Sequence, residues 1–358
     1  MNHLDDPRLY RDLDPQGMGS HLEGLPGQCQ EAWQQALEFE LPADFQGAET
    51  VVVVGMGGSA IGGDLLAGLA AREGVPVFIH RDYGLPPMVK EETLLIFSSY
   101  SGETEETLSA FQESLDTPAK KLALTSGGKL QALAQEQGIP VFPIGYQAQP
   151  RAALGYSLIP LLAFLQNLGL LASKSDDMEE MLGVLSALRE RLRPGEPLAS
   201  NPAKKLATQL QGRVSIVYGG GMLSAVARRW KTQLNENSKA WAFFELFPEL
   251  NHNSITGYEF PRELAPKLLV ALLHSPLLHP RTRLRYQGTR EILSQRGVAH
   301  ETVEAEGKSP LSHLMSLVYI GDWASYYLAL LHGRDPTPVE TIEQLKRQLA
   351  ILHGVKDG

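Results

Sequence analysis

VVVVGMGGSAIGGDLL, residues 51–66, joins four β-branched residues to a glycine cluster, a hydroxyl and the start of a helix. Residues 51–54 have the unbroken apolar character of a strand buried on both faces, as in a parallel sheet covered by helices. Gly55, Gly57 and Gly58 permit backbone angles closed to other residues and let a ligand approach the main chain. Ser59 stands where a helix begins, so its hydroxyl and the first-turn N–H groups are placed to hold an anion at the positive end of the helix dipole. The bland alternative is a tight strand-to-helix turn that serves packing alone.

A second loop points the same way. TLLIF (93–97) reads as another buried strand, and it runs directly into SSYSGETEET (98–107), rich in hydroxyls and without a lysine. Serine and threonine at a helix start often only cap it, with the acidic residues favoured by the dipole. Two such loops about forty residues apart, each after a strand, meet at the carboxyl edge of one sheet, where open α/β folds bind ligands. The GxxxxGK[ST] pattern is missing, so nucleoside triphosphate chemistry is not expected; neutral donors suit the phosphate of a small metabolite.

GMGGSAIGGD followed by SSYSGETEET resembles the sugar isomerase (SIS) module, and the chain as a whole resembles the bifunctional phosphoglucose/phosphomannose isomerases of archaea and bacteria. The likeness continues through PRAALGYS (150–157), LNENSK (234–239), FPELNHN (247–253) and DPTPVETIEQLK (335–346). It implies two SIS-type three-layer α/β/α sandwich domains with parallel sheets. It also implies aldose–ketose isomerisation of glucose 6-phosphate and mannose 6-phosphate to fructose 6-phosphate through a cis-enediol, without a cofactor.

Composition is compatible with that. At 358 residues, 43% hydrophobic and 20% charged, the chain suits a two-domain globular protein. A net charge of -9 argues against a broad nucleic-acid or membrane surface. Cys29 is the only cysteine, which excludes an intramolecular disulfide and a cysteine-built zinc site. The ten histidines are scattered and HExxH is absent, so metal independence is expected. No basic-then-apolar leader opens the sequence, and no segment is read as apolar for long enough to span a bilayer; a cytoplasmic enzyme is the expectation.

Residues 1–45 read as polar turns and one amphipathic helix near 31–40. The first SIS unit, 46–172, carries strands near 51–54, 75–80, 93–97, 121–125 and 139–143, with helices near 60–71, 105–114 and 129–137. An apolar helical run over 152–171, interrupted by Pro160, and a charged helix over 176–193 connect to a second unit, 173–334. That unit has strands near 214–218, 268–273 and 298–303 and helices near 223–234 and 311–331. Residues 335–358 form a C-terminal helix contributing to the site. VSIVYGGGMLSA (214–225) echoes VVVVGMGGSA, which suggests duplication, but nothing echoes SSYSGETEET, so only the first copy is expected to hold phosphate.

The isomerisation needs a base to move a proton between C1 and C2, a group to open the ring, and positive charge beside the enediolate. Glu236 matches the base of the family's NENxK motif; otherwise it is a solvated helix-end charge. His252 matches the ring-opening histidine of PELNHN, which the family supplies from the neighbouring subunit, so a homodimer is implied. Arg151 is placed to stabilise the enediolate, or else to form a salt bridge across the domain junction. Lys346 is the best match to the family's lysine near the chain end, and Lys239 and Thr337 are weaker candidates. Phosphate is assigned to Gly57, Gly58, Ser59, Ser99, Ser101 and Thr104, with Gly58 and Ser59 donating from the backbone. Ser238 departs from the alanine frequent in the family's motif but leaves Glu236 and Lys239 in place. The rivals are a sensor that binds sugar phosphate without chemistry, and an isomerase of another phosphosugar.

Overall fold

A computed structural model describes residues 3–354. Its first sheet contains β1 (Thr50–Gly55), β2 (Val77–His80), β3 (Thr93–Ser98), β4 (Lys120–Thr125) and β5 (Val141–Pro143), in the order β2-β1-β3-β4-β5. The second contains β6 (Val214–Gly220), β7 (Ala242–Phe247), β8 (Leu268–His274) and β9 (Ala299–Glu304), in the order β7-β6-β8-β9. Every pairing is parallel. Both orders reverse direction beside their first strand, and that switch point opens a crevice at the carboxyl edge.

In β1 and β3 the valines and leucines are buried on both faces, because helices cover the sheet on each side. One face, with Val52, Leu95, Phe97 and Phe111, forms a core of its own. The other joins a larger core that runs through to the second sheet. Helix Gly57–Ala70 packs there against Leu154–Asn167, which packs in turn on Leu25–Glu38.

The structure departs from the sequence reading in several places. The N-terminal region holds three helices, Pro7–Leu13, Met18–Glu23 and Leu25–Glu38; Pro7 and Pro26 sit in the first turns of the first and third, where a missing N–H costs nothing. Pro160 does not interrupt its run: Leu154–Asn167 continues through it, with Leu154 to Leu165 buried. Strand β7 and the helices Pro202–Leu210 and Pro280–Gln295 are additions to that reading. The expectation that no segment is long and apolar enough to span a bilayer is also corrected. Helix Pro310–Leu331, 22 residues at mean hydropathy 1.3, has that length and composition, yet its apolar window is 94% buried inside the protein. A helix apolar on all sides fits the centre of a large core equally well.

Candidate active site

Gly55 and Ser98, the last residues of β1 and β3, are register partners, so the glycine turn and the hydroxyl loop leave the sheet side by side. Gly57 and Gly58 open the helix Gly57–Ala70, and helices leave such first-turn N–H groups without intrahelical partners. The two loops are laced together: Tyr100 N donates to Ser59 Oγ at 3.0 Å, and Ser98 Oγ donates to Ser59 O at 3.0 Å. Ser99 Oγ lies 2.9 Å from Thr104 Oγ1 and accepts from Gly102 N. Ser101 is exposed and its Oγ accepts from Glu103 N. One detail differs from expectation. The Ser59 N–H already donates to Met56 O at 3.0 Å, so what Ser59 can offer a ligand is its hydroxyl.

The cradle abuts Arg151. A Cβ on Gly58 would lie 2.9 Å from Arg151 N and from Pro150 C, so only glycine lets the two backbones approach this closely. Arg151 follows β5 in a short turn, Pro150–Ala152, and its side chain is almost wholly buried. Nε donates to Asn237 Oδ1 at 2.7 Å; Nη2 donates to Pro336 O at 2.8 Å and Thr337 O at 2.7 Å. Nη1 faces Glu236 Oε2 at 3.5 Å, the longest of these contacts. Three anchors therefore fix the guanidinium plane and leave Nη1 aimed at the carboxylate. Burial pushes the Arg151 guanidinium below its ordinary value, and Glu236 opposes that shift. A guanidinium stays charged through any such shift. The salt-bridge reading of Arg151 is met in this contact with Glu236.

Glu236 ends the helix Ser224–Glu236, with a quarter of its side chain exposed to a cleft of ≈ 820 Å³. After it the chain reverses through Lys239, whose φ of 54° is the left-handed value that a lysine rarely adopts. Lys239 Nζ donates to Glu236 O at 2.6 Å and to Pro336 O at 3.1 Å. Desolvation first, then Arg151, lowers its pKa to about 8. Thr337 is buried, and its Oγ1 has no hydrogen-bond partner. Lys239 and Thr337, the weaker candidates, therefore join the cluster. Lys346 does not: it lies exposed on helix Glu340–Gly354. His252 stands exposed in the turn Glu249–His252, while its neighbours are tied down, Asn251 to Thr289 and Asn253 to Glu249.

Residues 199–349 match a family model described as the bacterial phospho-glucose isomerase C-terminal SIS domain. A bifunctional phosphoglucose/phosphomannose isomerase of Caldicellulosiruptor bescii is 43% identical over 335 residues, 93% of this chain and 99% of that relative. The chain belongs to this isomerase family. A member from Aquifex aeolicus is 35% identical over 322 residues, covering 89% of this chain and 96% of its own. Among solved structures, a glucose-6-phosphate isomerase like protein from Thermus thermophilus superposes with a TM-score of 0.65 over 95% of this chain and 99% of that chain. At 23% identity that is a likeness of fold.

Within this isomerase scaffold, sequence reasoning passed over the groups that hold Arg151. Asn237 lay inside the motif already quoted. Arg229, which donates to the Arg151 carbonyl, is paired with Asp322, and Asp322 had a signal of its own as the one acidic residue in the apolar helix Pro310–Leu331. The carbonyls of Pro336 and Thr337 had none, since a main-chain acceptor is written the same way at every position.

Proposed function

We propose that the protein interconverts glucose 6-phosphate and mannose 6-phosphate with fructose 6-phosphate. In this reading Gly57, Gly58, Ser59, Ser99, Ser101 and Thr104 take the phosphate with neutral donors. Glu236 removes the C2 proton of the open-chain aldose. The C–H electron pair forms a C1=C2 bond, and the carbonyl electrons move onto O1. Arg151 Nη1 stabilises that oxyanion, preorganised by its three other hydrogen bonds. The O2 proton passes to O1, and Glu236 returns its proton to C1, leaving a ketone at C2. Glucose and mannose differ only at C2, so planarity there gives both one intermediate.

The observation that carries this reading is the approach of Glu236 to Arg151 at 3.5 Å, beside a glycine turn packed on the Arg151 backbone. His252 is assigned to ring opening from a second copy of the chain. Its exposure in one copy supports a homodimer, as do the exposed apolar side chains Trp241, Phe243, Phe260, Ile342, Leu345 and Leu349. Lys346 enters the site only in that assembly. Positive charge from Arg151 takes the place a metal would have, so activity is expected to survive exhaustive chelation.

The test is a coupled assay with both aldose phosphates, and with glucosamine 6-phosphate as a control, repeated on Glu236→Gln. Loss of a general base lowers kcat by about 10²–10⁴-fold. Exchange of the C2 hydrogen with solvent should vanish in the same variant. Turnover of neither sugar by the wild type would end the reading; full activity in Glu236→Gln would remove the base assignment alone.

A further inference from the structure

Beneath Arg151 lies a second arginine that touches no ligand surface. Arg229, on helix Ser224–Glu236, is 2% exposed, and Asp322, on helix Pro310–Leu331, is 1% exposed. They form a forked pair: Arg229 Nε donates to Asp322 Oδ1 at 3.1 Å, and Nη2 donates to Oδ2 at 2.6 Å. The same Nη2 also donates to the backbone carbonyl of Arg151 at 3.0 Å.

The contacts then close a ring. Asp322 O accepts from Ser325 Oγ at 2.7 Å, Ser325 Oγ accepts from Asn237 Nδ2 at 3.0 Å, and Asn237 Oδ1 accepts from Arg151 Nε at 2.7 Å. Arg151 is thus held twice by one buried network, at its main chain through Arg229 and at its side chain through Asn237. Trp230, next to Arg229, fixes the spacing of the two helices by donating from its indole to Leu317 O at 2.8 Å. A buried ion pair is weak evidence for stability, because desolvation of both charges offsets their attraction. What this network does supply is direction: the fork fixes Arg229, whose Nη2 holds the Arg151 carbonyl, while the Ser325 hydroxyl fixes the Asn237 amide that accepts from Arg151 Nε.

We propose that Arg229 and Asp322, closed through Ser325 and Asn237, are positioning residues for the reaction: they set the plane of Arg151 so that Nη1 meets the developing enediolate oxygen. This rests on the role given to Arg151 above. Displacement of a charge-stabilising group by about 1 Å costs on the order of 10²-fold in rate, while ground-state binding through the phosphate is untouched.

The test measures kcat and KM for glucose 6-phosphate in Arg229→Lys, Ser325→Ala and Arg151→Ala, and in each of the first two combined with Arg151→Ala. Arg229→Lys keeps a cation but loses the fork; kcat is expected to fall about 10–100-fold with KM within about three-fold of wild type. Ser325→Ala opens the ring at one hydroxyl, and a fall in kcat of about 3–10-fold is expected. In the Arg151→Ala background both substitutions should change kcat by less than about two-fold, because they act only through the missing side chain. Wild-type kcat in folded Arg229→Lys or Ser325→Ala, or losses that multiply in the double variants, would overturn the inference while leaving the Arg151 assignment standing. Wild-type kcat in Arg151→Ala would overturn that assignment and the inference with it. If Arg229→Lys fails to fold, the Ser325→Ala pair decides.

Discussion

The two glycine turns, one per sheet, follow the same topology and have become opposite surfaces. After β1 and β3 the carboxyl edge carries Ser59, Ser99, Ser101 and Thr104. After β6 and β8 it carries Met222, Leu277 and Leu278, apolar where the first edge is hydroxylated. A Cβ on Gly221 would meet Leu278 Cδ2 at 3.4 Å, and one on Gly220 would meet Phe247 at 2.9 Å. Phe247 is itself stacked on Tyr286, with ring centroids 3.9 Å apart. Even the serine of this loop is spent inward, since Ser275 Oγ lies 2.7 Å from His313 Nδ1. A switch point therefore makes the hollow, but the residues after the neighbouring strand decide whether anything enters it. The second copy reaches the Arg151 cluster from its far end instead: the helix that begins at the plugged turn finishes at Glu236.

The sharpest way to break this comparison is to add the same methyl group to both turns. In Gly58→Ala the new Cβ presses on the backbone that carries Arg151, at 2.9 Å, so the cradle and the guanidinium cannot both stay in place. kcat/KM should fall about 10²-fold or more. In Gly221→Ala the penalty is a left-handed φ of 54°, about 1 kcal/mol of stability, with kinetic constants unchanged. Steady-state kinetics beside thermal melts separates the two; equal losses of activity would mean that both turns serve the substrate.

A smaller effect sharpens the contrast between hydroxyls. Ser101→Ala removes an exposed donor from the loop after β3, and a hydrogen bond to a charged ligand is worth about 1.5–3 kcal/mol, so KM should rise at least about ten-fold with kcat nearly kept. Ser275→Ala orphans a buried histidine nitrogen and should lower stability by about 1–3 kcal/mol without moving KM. A KM shift from Ser275→Ala would reopen the second copy as a binding edge.

How much of this was legible varied with the physics of each segment. The buried strands β1 and β3 and the helix Glu105–Ser114 announce themselves, because a strand covered on both faces must be apolar throughout and an amphipathic helix has a period. Strand β7 does not. It is an edge strand, exposed at Phe243 and carrying Glu245 near its middle, so no alternation marks it. Helix Pro280–Gln295 buries only Tyr286, Thr289 and Leu293, too little for a pattern to stand out among four arginines. At the candidate site, Glu236 and Arg151 are named by motif and lie 3.5 Å apart, yet the letters rank Lys239 below Lys346. A left-handed turn that folds a lysine back onto the preceding helix end is invisible in the letters NSK, whereas a lysine near the chain end matches the motif by position alone.

Lys239 gives the subtlest test, at the polar end of the second copy. Its pKa is lowered to about 8 by desolvation and by the neighbouring Arg151, against 10.5 for an ordinary lysine. Below pH 8 the group is protonated in both folded and unfolded chains, and the folded state bears the whole cost of an ammonium beside a guanidinium. Between about pH 8 and 10.5 the folded chain has released a proton that the unfolded chain still holds, so this group makes stability rise with pH. Lys239 lines an open cleft, so water screens the effect and keeps it small. Urea unfolding of wild type and Lys239→Met at pH 7 and at pH 9.5 isolates it, because every other titrating group is common to both proteins. The difference, wild type minus variant, should shift in favour of the wild type at the higher pH; a difference that stays flat would place the ammonium away from Arg151, in bulk water.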